Sequence, residues 1–513
     1  MAVETTTQAG ERMTAKTLMI QGTGSGVGKS IITAALCRAF SRESHKVSPF
    51  KAQNMSLNSY VTEEGGEIGR AQMYQAEACG IAPHVAMNPI LLKPNTDNNS
   101  QVIVMGKVVG QRNAKDYYAD RPSFVKEVEG AFDTLKNKYE LIIMEGAGSP
   151  AEINLRQHDM VNMAMAEMAD APVVIVGDID RGGVFAWMKG TLDLLSESEQ
   201  KRVSGFIINK FRGDIDLLTP GLTQFEEMTG KPILGVIPFD AELFVDEEDA
   251  IPHHSSTFVN SHPSVVDIAI VQLPHIANFT DFSPLVSDPG VAVRYVRSPV
   301  QAGSPDLLIL PGTKNTIGDL QFMKEMGWDR FAHSYHREGG LILGVCGGFQ
   351  MLGTRLLDPN HIESRIEELE GLGFIQSTTT MEHEKITRRR IRPTLSSSIF
   401  EAGIEVNGYE IHSGRTQFEK DYPLLFESSN SDCPYSLGLC NEEGNVIGTY
   451  LHGFLDNDPI RESFLNYVRK QKGLPPPEEQ FSYREFRSQQ LDRLADLVTQ
   501  SINMNEVKHI IGL

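Results

Sequence analysis

The chain has 513 residues, 40% of them hydrophobic and 22% charged, and a formal net charge of −20. That length exceeds what one hydrophobic core fills and predicts two domains; the acidic balance argues against nucleic acid or an anionic membrane surface as the main partner. No run approaches the roughly 20 apolar residues of a membrane span, and the polar start MAVETTTQAGERMTAK lacks the apolar stretch of a secretory signal, so the expected setting is cytoplasmic.

In the first half, KTLMIQG, YELIIMEG, APVVIVGD, RVSGFIINK and PILGVIPF read as short buried strands, each with a helical stretch after it. This alternation predicts a doubly wound α/β fold, a parallel sheet with helices on both faces and ligands at the carboxyl ends of its strands. The first strand runs into GTGSGVGKS. The strict phosphate-loop pattern is G-x-x-x-x-G-K-[ST]; Thr23 stands at its first glycine, while Gly24, Gly26 and Gly28 lead into Lys29 and Ser30. Backbone N–H groups of such a loop cradle phosphates, Lys29 reaches their outer oxygens and Ser30 ligates Mg²⁺. Thr23, Gly24, Gly26, Gly28, Lys29 and Ser30 are the nucleotide-binding candidates.

PFKAQNMSLNSY follows, too polar for a core strand and expected as a loop at the edge of the site. Its Lys51 and Asn54, with Lys93 of MNPILLKP, are candidates to hold an anionic substrate; surface lysines are the alternative. Glu145 ends the strand of YELIIMEG and is a second Mg²⁺ candidate. Asp178 and Asp180 of VGDIDRGG suit metal or substrate contact, or a helix cap. VNMAMAEMAD reads as a Met-rich core helix, and Asp159 just ahead of it is either a functional residue or its cap. INKFRGD resembles the guanine-reading N-K-x-D, but Arg212 stands where the acid belongs; Asn209 is left as a possible adenine contact.

The texture changes over residues 241–264, and the expected organisation is a flexible start at 1–16, a first domain at 17–250, a linker at 251–265 and a second domain at 266–513 with a helical tail. VVDIAIVQLP, PDLLILPG, GGLILGVCGG and GNVIGTYLHG restart the alternation. Between them, residues 356–440 predict inserted antiparallel strands, with TRRRIR as a solvated strand face.

Five cysteines, Cys37, Cys79, Cys346, Cys433 and Cys440, show neither disulfide nor zinc spacing. Cys346 sits in GVCGG, a G-x-C-x-G version of the strand–turn–helix nucleophile elbow, where close packing demands small neighbours. A nucleophilic thiol needs a proton shuttle. His452 of TYLHG is the preferred base, because Gly453 leaves room for a ligand, with His412 of YEIHSG its rival and Asp456 a possible orienting acid. Gly312 and Gly347 are the oxyanion-hole candidates.

The Cys elbow and GTYLHG resemble the class I glutamine amidotransferase domain, which is flavodoxin-like; the phosphate loop with EGAGSP resembles the dethiobiotin synthetase-like P-loop NTPases. KAQNMSLNS, GRAQMYQAEACGIAPHVAMNPILLKP, GDIDRGGVFA, LPHIANFTDF, LPGTKNTIGDL and GYEIHSGRT resemble the cobyric acid synthase family of the cobalamin pathway, from about residue 17 to the tail. The resemblance implies ATP and Mg²⁺ in the first domain and ammonia from glutamine in the second. It implies amidation of the b, d, e and g carboxylates of a corrinoid polycarboxylate, adenosylcobyrinic acid a,c-diamide, giving adenosylcobyric acid. The usual His-x-Glu is missing, since Gly453 and Phe454 follow His452, so the resemblance supports a Cys–His pair. The alternatives are the sister enzyme that makes the a,c-diamide, an amidotransferase for another carboxylate, and a non-catalytic P-loop switch with an inactive glutaminase-like domain.

Overall fold

The computed structural model describes residues 15–96, 99–246, 265–428, 437–477 and 479–513. The expected N-terminal segment up to residue 14, the expected linker up to residue 264, and Cys433 lie outside them. The five apolar runs of the first half form one parallel sheet with Val47–Phe50 at its edge, in the order Ile233–Pro238, Val203–Phe211, Val173–Asp178, Lys16–Gly22, Leu141–Glu145, Val47–Phe50. Its central strands are apolar without alternation because each feeds two cores. Leu18, Ile20, Leu141, Ile143, Val174 and Val176 pack with helix Lys29–Arg42 on one face. Met19, Ile142, Met144, Val173 and Ile175 pack with Val128 and Leu135 of helix Ala114–Lys136 on the other.

The second half repeats the plan. Val291–Val296, Val266–Val271, Leu307–Leu310, Leu341–Val345 and Val446–Thr449 run parallel, and Leu439–Cys440 closes one edge antiparallel. The inserted hairpin pairs Ser377–Pro393 with Glu405–Phe418. TRRRIR lies on it, but not as a uniformly solvated face: Arg390 is buried against Glu410, and Arg389 stacks over Tyr60 of the first half.

The tail departs from its expected place. Helices Tyr483–Ser501 and Met504–Ile511 return to the first half, where Leu491, Leu494, Val498, Ile502 and Ile511 complete the core over helix Lys29–Arg42. Arg38 pairs with Asp492 at 2.9 Å and Arg487 with Glu77 at 2.5 Å. Gly235 takes part by close approach: a Cβ there would lie 2.6 Å from the Ile502 Cα. Among the described residues no helix is long and apolar enough to cross a membrane.

Candidate active site

Strand Lys16–Gly22 ends at the phosphate loop and helix Lys29–Arg42 begins it, so the loop's N–H groups gather at a helix N-terminus. Gly26 and Gly28 have φ of 72° and 105°, which residues with a Cβ rarely adopt. The Asn209 amide donates to the Val27 carbonyl at 2.9 Å and fills the space a side chain at Gly28 would need. Asn209, the possible adenine contact, therefore braces the loop through this bond. Thr23 donates its N–H to Val176, fixing the loop to the neighbouring strand. At Gly24 a Cβ would meet nothing within 4 Å, so this side of the loop stays open.

Lys29 Nζ lies 2.8 Å from the Gly24 carbonyl and 3.1 Å from that of Gly148, spanning the mouth of the loop. Ser30 Oγ donates to Glu145 Oε1 at 2.7 Å, and Lys51 Nζ donates to the same oxygen at 2.8 Å. Gln75 donates to Oε2 at 2.6 Å. Burial alone would raise the Glu145 pKa; the Lys51 ammonium and these three donors hold it below the ordinary carboxylate range. An ionised carboxylate beside a P-loop hydroxyl is a donor pair that fits Mg²⁺ shared with phosphate oxygens. Asp178 accepts from Lys210, which also reaches the Gly26 carbonyl at 2.8 Å, so this pair frames the loop tip. Asp180 is half exposed and pairs with Arg212. Asp159 accepts the N–H groups of Val161, Asn162 and Ala164 and caps the Met-rich helix.

A cavity of about 540 Å³ opens beside the loop, between Ser25, Gly148, Arg156 and Tyr117. This is within the range of small-molecule sites. Its floor is a small sheet, Gln53–Met55, Ile90–Thr96, Asn99–Val104 and Lys107–Asn113. Side chains alternate across a sheet, and here the two faces line two different pockets. Leu92, Pro94, Val102 and Arg112 face the large cavity. Lys93, Gln101 and Gln111, directly opposite one another in the ladder, face a second pocket of about 70 Å³ that contains Cys346. Of the candidates for an anionic substrate, Asn54 donates to Gln72, and Lys93 donates to Ser59 and Glu67 on the Cys346 side.

Cys346 follows strand Leu341–Val345 and precedes helix Gly347–Met351. Its φ of 52° and ψ of −107° are strained for a residue with a Cβ, at a cost of about 1–3 kcal/mol. Gly344 and Gly348 permit the turn: a Cβ on Gly344 would lie 2.7 Å from the Gly348 carbonyl oxygen, and one on Gly348 would strike the Leu310 carbonyl. Gly312 sits across the thiol, with its Cβ position 3.4 Å from His452 Cε1 and 3.8 Å from the Cys346 Cβ. Gly347 supplies the first N–H of the helix.

His452 is buried, and its Nε2 has no hydrogen-bond partner among the described residues; the Cys346 thiol, which lies close enough to raise the imidazole pKa, is 3.7 Å from the Ile411 carbonyl. Its Nδ1 is 2.6 Å from Asp281 Oδ2, and the other oxygen of Asp281 accepts the Gly453 N–H at 3.1 Å. Burial opposes charge on the ring; the Asp281 carboxylate and the Cys346 sulfur outweigh it and push the imidazole up to about 10. The orienting acid is therefore Asp281. Asp456 instead lies 3.6 Å from Arg70. His412 lines the pocket but is stacked on Tyr450 at 4.0 Å and bonded to Gly414.

Sequence reading missed Asp281, which lies within the family-like segment LPHIANFTDF but carries no catalytic pattern of its own there and stands far from His452 in the chain. It also missed the charges around the thiol pocket. Glu67 is gripped by Lys93 at 2.9 Å from the first half and by Lys385 at 2.6 Å from the inserted hairpin. Burial would raise its pKa, but the two ammonium groups lower it to about 2. Lys385 is pushed down to about 7, chiefly by burial. Lys314 and Glu363 also line the pocket, and burial pushes Glu363 up to about 7.

Comparison with known proteins finds two families in the chain. The model of the CobQ/CobB/MinD/ParA nucleotide binding domain matches residues 18–252, and that of the CobB/CobQ-like glutamine amidotransferase domain matches residues 267–460. A cobyric acid synthase of Caldanaerobacter subterraneus is 49% identical over 504 residues, covering 96% of this chain and 98% of that protein. The chain belongs to the cobyric acid synthase family. Cobyric acid synthases of Thermoanaerobacter sp. and Clostridium acetobutylicum are 47% and 46% identical, covering 96% and 97% of this chain and 98% and 99% of theirs. The resemblance first drawn from scattered motifs thus holds along nearly the whole length, and the cobyric acid synthase architecture joins a nucleotide-binding half to a glutamine amidotransferase half.

Proposed function

We propose that the two halves act in series across the small sheet: Cys346 frees ammonia from glutamine, and the P-loop half activates a corrinoid carboxylate that the ammonia converts to an amide. Membership of the cobyric acid synthase family makes this an ATP- and glutamine-dependent amidation in cobalamin biosynthesis. The substrate implied is adenosylcobyrinic acid a,c-diamide, with amides formed at its b, d, e and g side chains. The observation that carries the reading is the shared wall, with Lys93, Gln101 and Gln111 on the thiol pocket and Leu92, Pro94 and Val102 on the large cavity.

In the thiol pocket, Cys346 Sγ attacks the side-chain amide carbon of glutamine. The N–H groups of Gly312 and Gly347 receive the developing oxyanion. His452 passes the thiol proton to the departing nitrogen, and Asp281 holds the ring in the tautomer and orientation this needs. Ammonia leaves, a thioester remains on Cys346, and water activated by His452 releases glutamate.

In the P-loop half, residues 23–28 and Lys29 would hold phosphate oxygens, and Ser30 with Glu145 would hold Mg²⁺. ATP with Mg²⁺ supplies the phosphoryl group and charge neutralisation that make a carboxylate electrophilic. Lys51, on Glu145, is the candidate cation for an incoming carboxylate; Asp178 with Lys210 sets the loop tip, and Asp180 stands at its outer edge. A cytoplasmic setting fits these substrates and a reduced thiol.

The test is amide formation on the a,c-diamide with ATP and either glutamine or ammonium. Cys346→Ser is expected to abolish the glutamine route and spare the ammonium route. A wild-type chain that forms amide from neither source would refute the synthetase half of the reading.

A further inference from the structure

The segment expected as a loop of the phosphate site reaches across to the glutaminase. Ser59 N donates to Asn278 Oδ1 at 2.9 Å, and Phe279 N donates to Asn58 Oδ1 at 3.1 Å, a reciprocal clasp between the halves. Every hydrogen-bonding group of Ser59 is tied, since its carbonyl accepts the Tyr409 hydroxyl at 3.0 Å and its hydroxyl accepts from Lys93 at 2.8 Å. Asn58, Ser59 and Asn278 are all at most 3% exposed, so water does not replace these bonds cheaply.

What the clasp holds is the loop that carries the acid. Asn278 adopts the left-handed conformation, φ 53° and ψ 37°, and its carbonyl accepts the Asp281 N–H at 2.9 Å. Ala277, just before it, donates to the Gly312 carbonyl at 2.9 Å. The same turn thus fixes Asp281 against His452 Nδ1 and Gly312 against the thiol. Tyr409, held by Ser59, stacks on the His452 ring at 5.4 Å with planes 18° apart. On its other side the segment continues from strand Gln53–Met55, whose Gln53 and Met55 line the large cavity.

We propose that Asn58 and Ser59 of the synthetase half are positioning residues of the glutaminase, setting the Asp281–His452 pair through Asn278 and Tyr409. This rests on the reading of Cys346 and His452 as a glutaminase. Thiol activation then depends on the seat of segment 53–60, whose first residues wall the synthetase cavity, so the rate of ammonia release is tied to that cavity.

The experiment compares Asn58→Leu and Tyr409→Phe in the full chain. The first removes the acceptor for Phe279 N; the second keeps the ring on His452 and removes the tie to Ser59. Each is expected to lower kcat for glutamine hydrolysis by about tenfold or more, with KM for glutamine unchanged and ammonium-supported amidation within about twofold of wild type. Unchanged hydrolysis in both variants would overturn the proposal, as would an equal fall with both nitrogen sources, which marks a merely structural role. If the wild type hydrolyses no glutamine at all, the glutaminase reading itself falls, an outcome visible before any variant is made.

Discussion

Asp281 and His452 are 171 residues apart in the chain and 2.6 Å apart in the fold, joined through Oδ2 and Nδ1. On the proposed glutaminase reading, the pair extends the Cys–His dyad to a triad whose acid comes from a loop two strands away from Cys346 in the sheet. The pairing also fixes the sign of the enzyme's pH response.

The His452 pKa is raised from 6.5 to about 10, so the protonated ring paired with Asp281 and Cys346 contributes stability in full below 6.5 and loses it as pH rises through about 10. Asp281→Asn removes the larger of the two charges that raise it, so the alkaline limb of glutamine hydrolysis should move to lower pH. The rate at neutral pH should fall by about a hundredfold or more, as the orienting acid is lost. A pH–rate profile of glutaminase activity reads both effects; an unmoved limb would count against Asp281.

Lys29→Met and Ser30→Ala test the other half. Both should suppress amide formation from glutamine and from ammonium by about a hundredfold or more, because neutralisation of transferring phosphate is lost. Glutamine hydrolysis without corrinoid should persist. Nucleotide binding by calorimetry, with and without Mg²⁺, separates the roles of the two side chains.

Glu67 joins Lys93 and Lys385 across the halves. Glu67→Gln leaves two buried ammonium groups short of their counter-charge, and Lys385→Met removes one arm of the clamp. Both changes should loosen the wall more than either active centre. The expected result is a rise in glutamate released per amide formed, with ammonium-supported amidation preserved. Simultaneous assay of the two products measures the ratio, which a change confined to one catalytic centre would not alter in this direction.

Gly348→Ala puts a methyl group into the Leu310 carbonyl at the base of the elbow. Overpacking of this kind costs about 1–3 kcal/mol, and the contact is with backbone, which cannot swing aside. A fall in unfolding midpoint, together with loss of glutamine hydrolysis, is the expected outcome.

The small sheet that begins at Gln53–Met55, within a segment expected as a loop, was decided by the fold, while the sequence by itself determined the two parallel sheets, the phosphate loop and the elbow. Each depends on contiguous residues: an apolar run such as KTLMIQG or GGLILGV, a glycine-rich turn, and the first residues of a helix, all within about a dozen positions. The family was legible for the same reason, from long uninterrupted motifs. The tertiary structure alone decided the acid behind His452, because Asp281 meets it only when two distant strand ends close over the thiol. It decided the partners of Asn54, Lys93 and Asn209 as well. Their polarity was plain in the sequence, but the face of the sheet on which a side chain emerges depends on the strand's seat and register. A one-residue slip would exchange the two pockets that Leu92 and Lys93 now face.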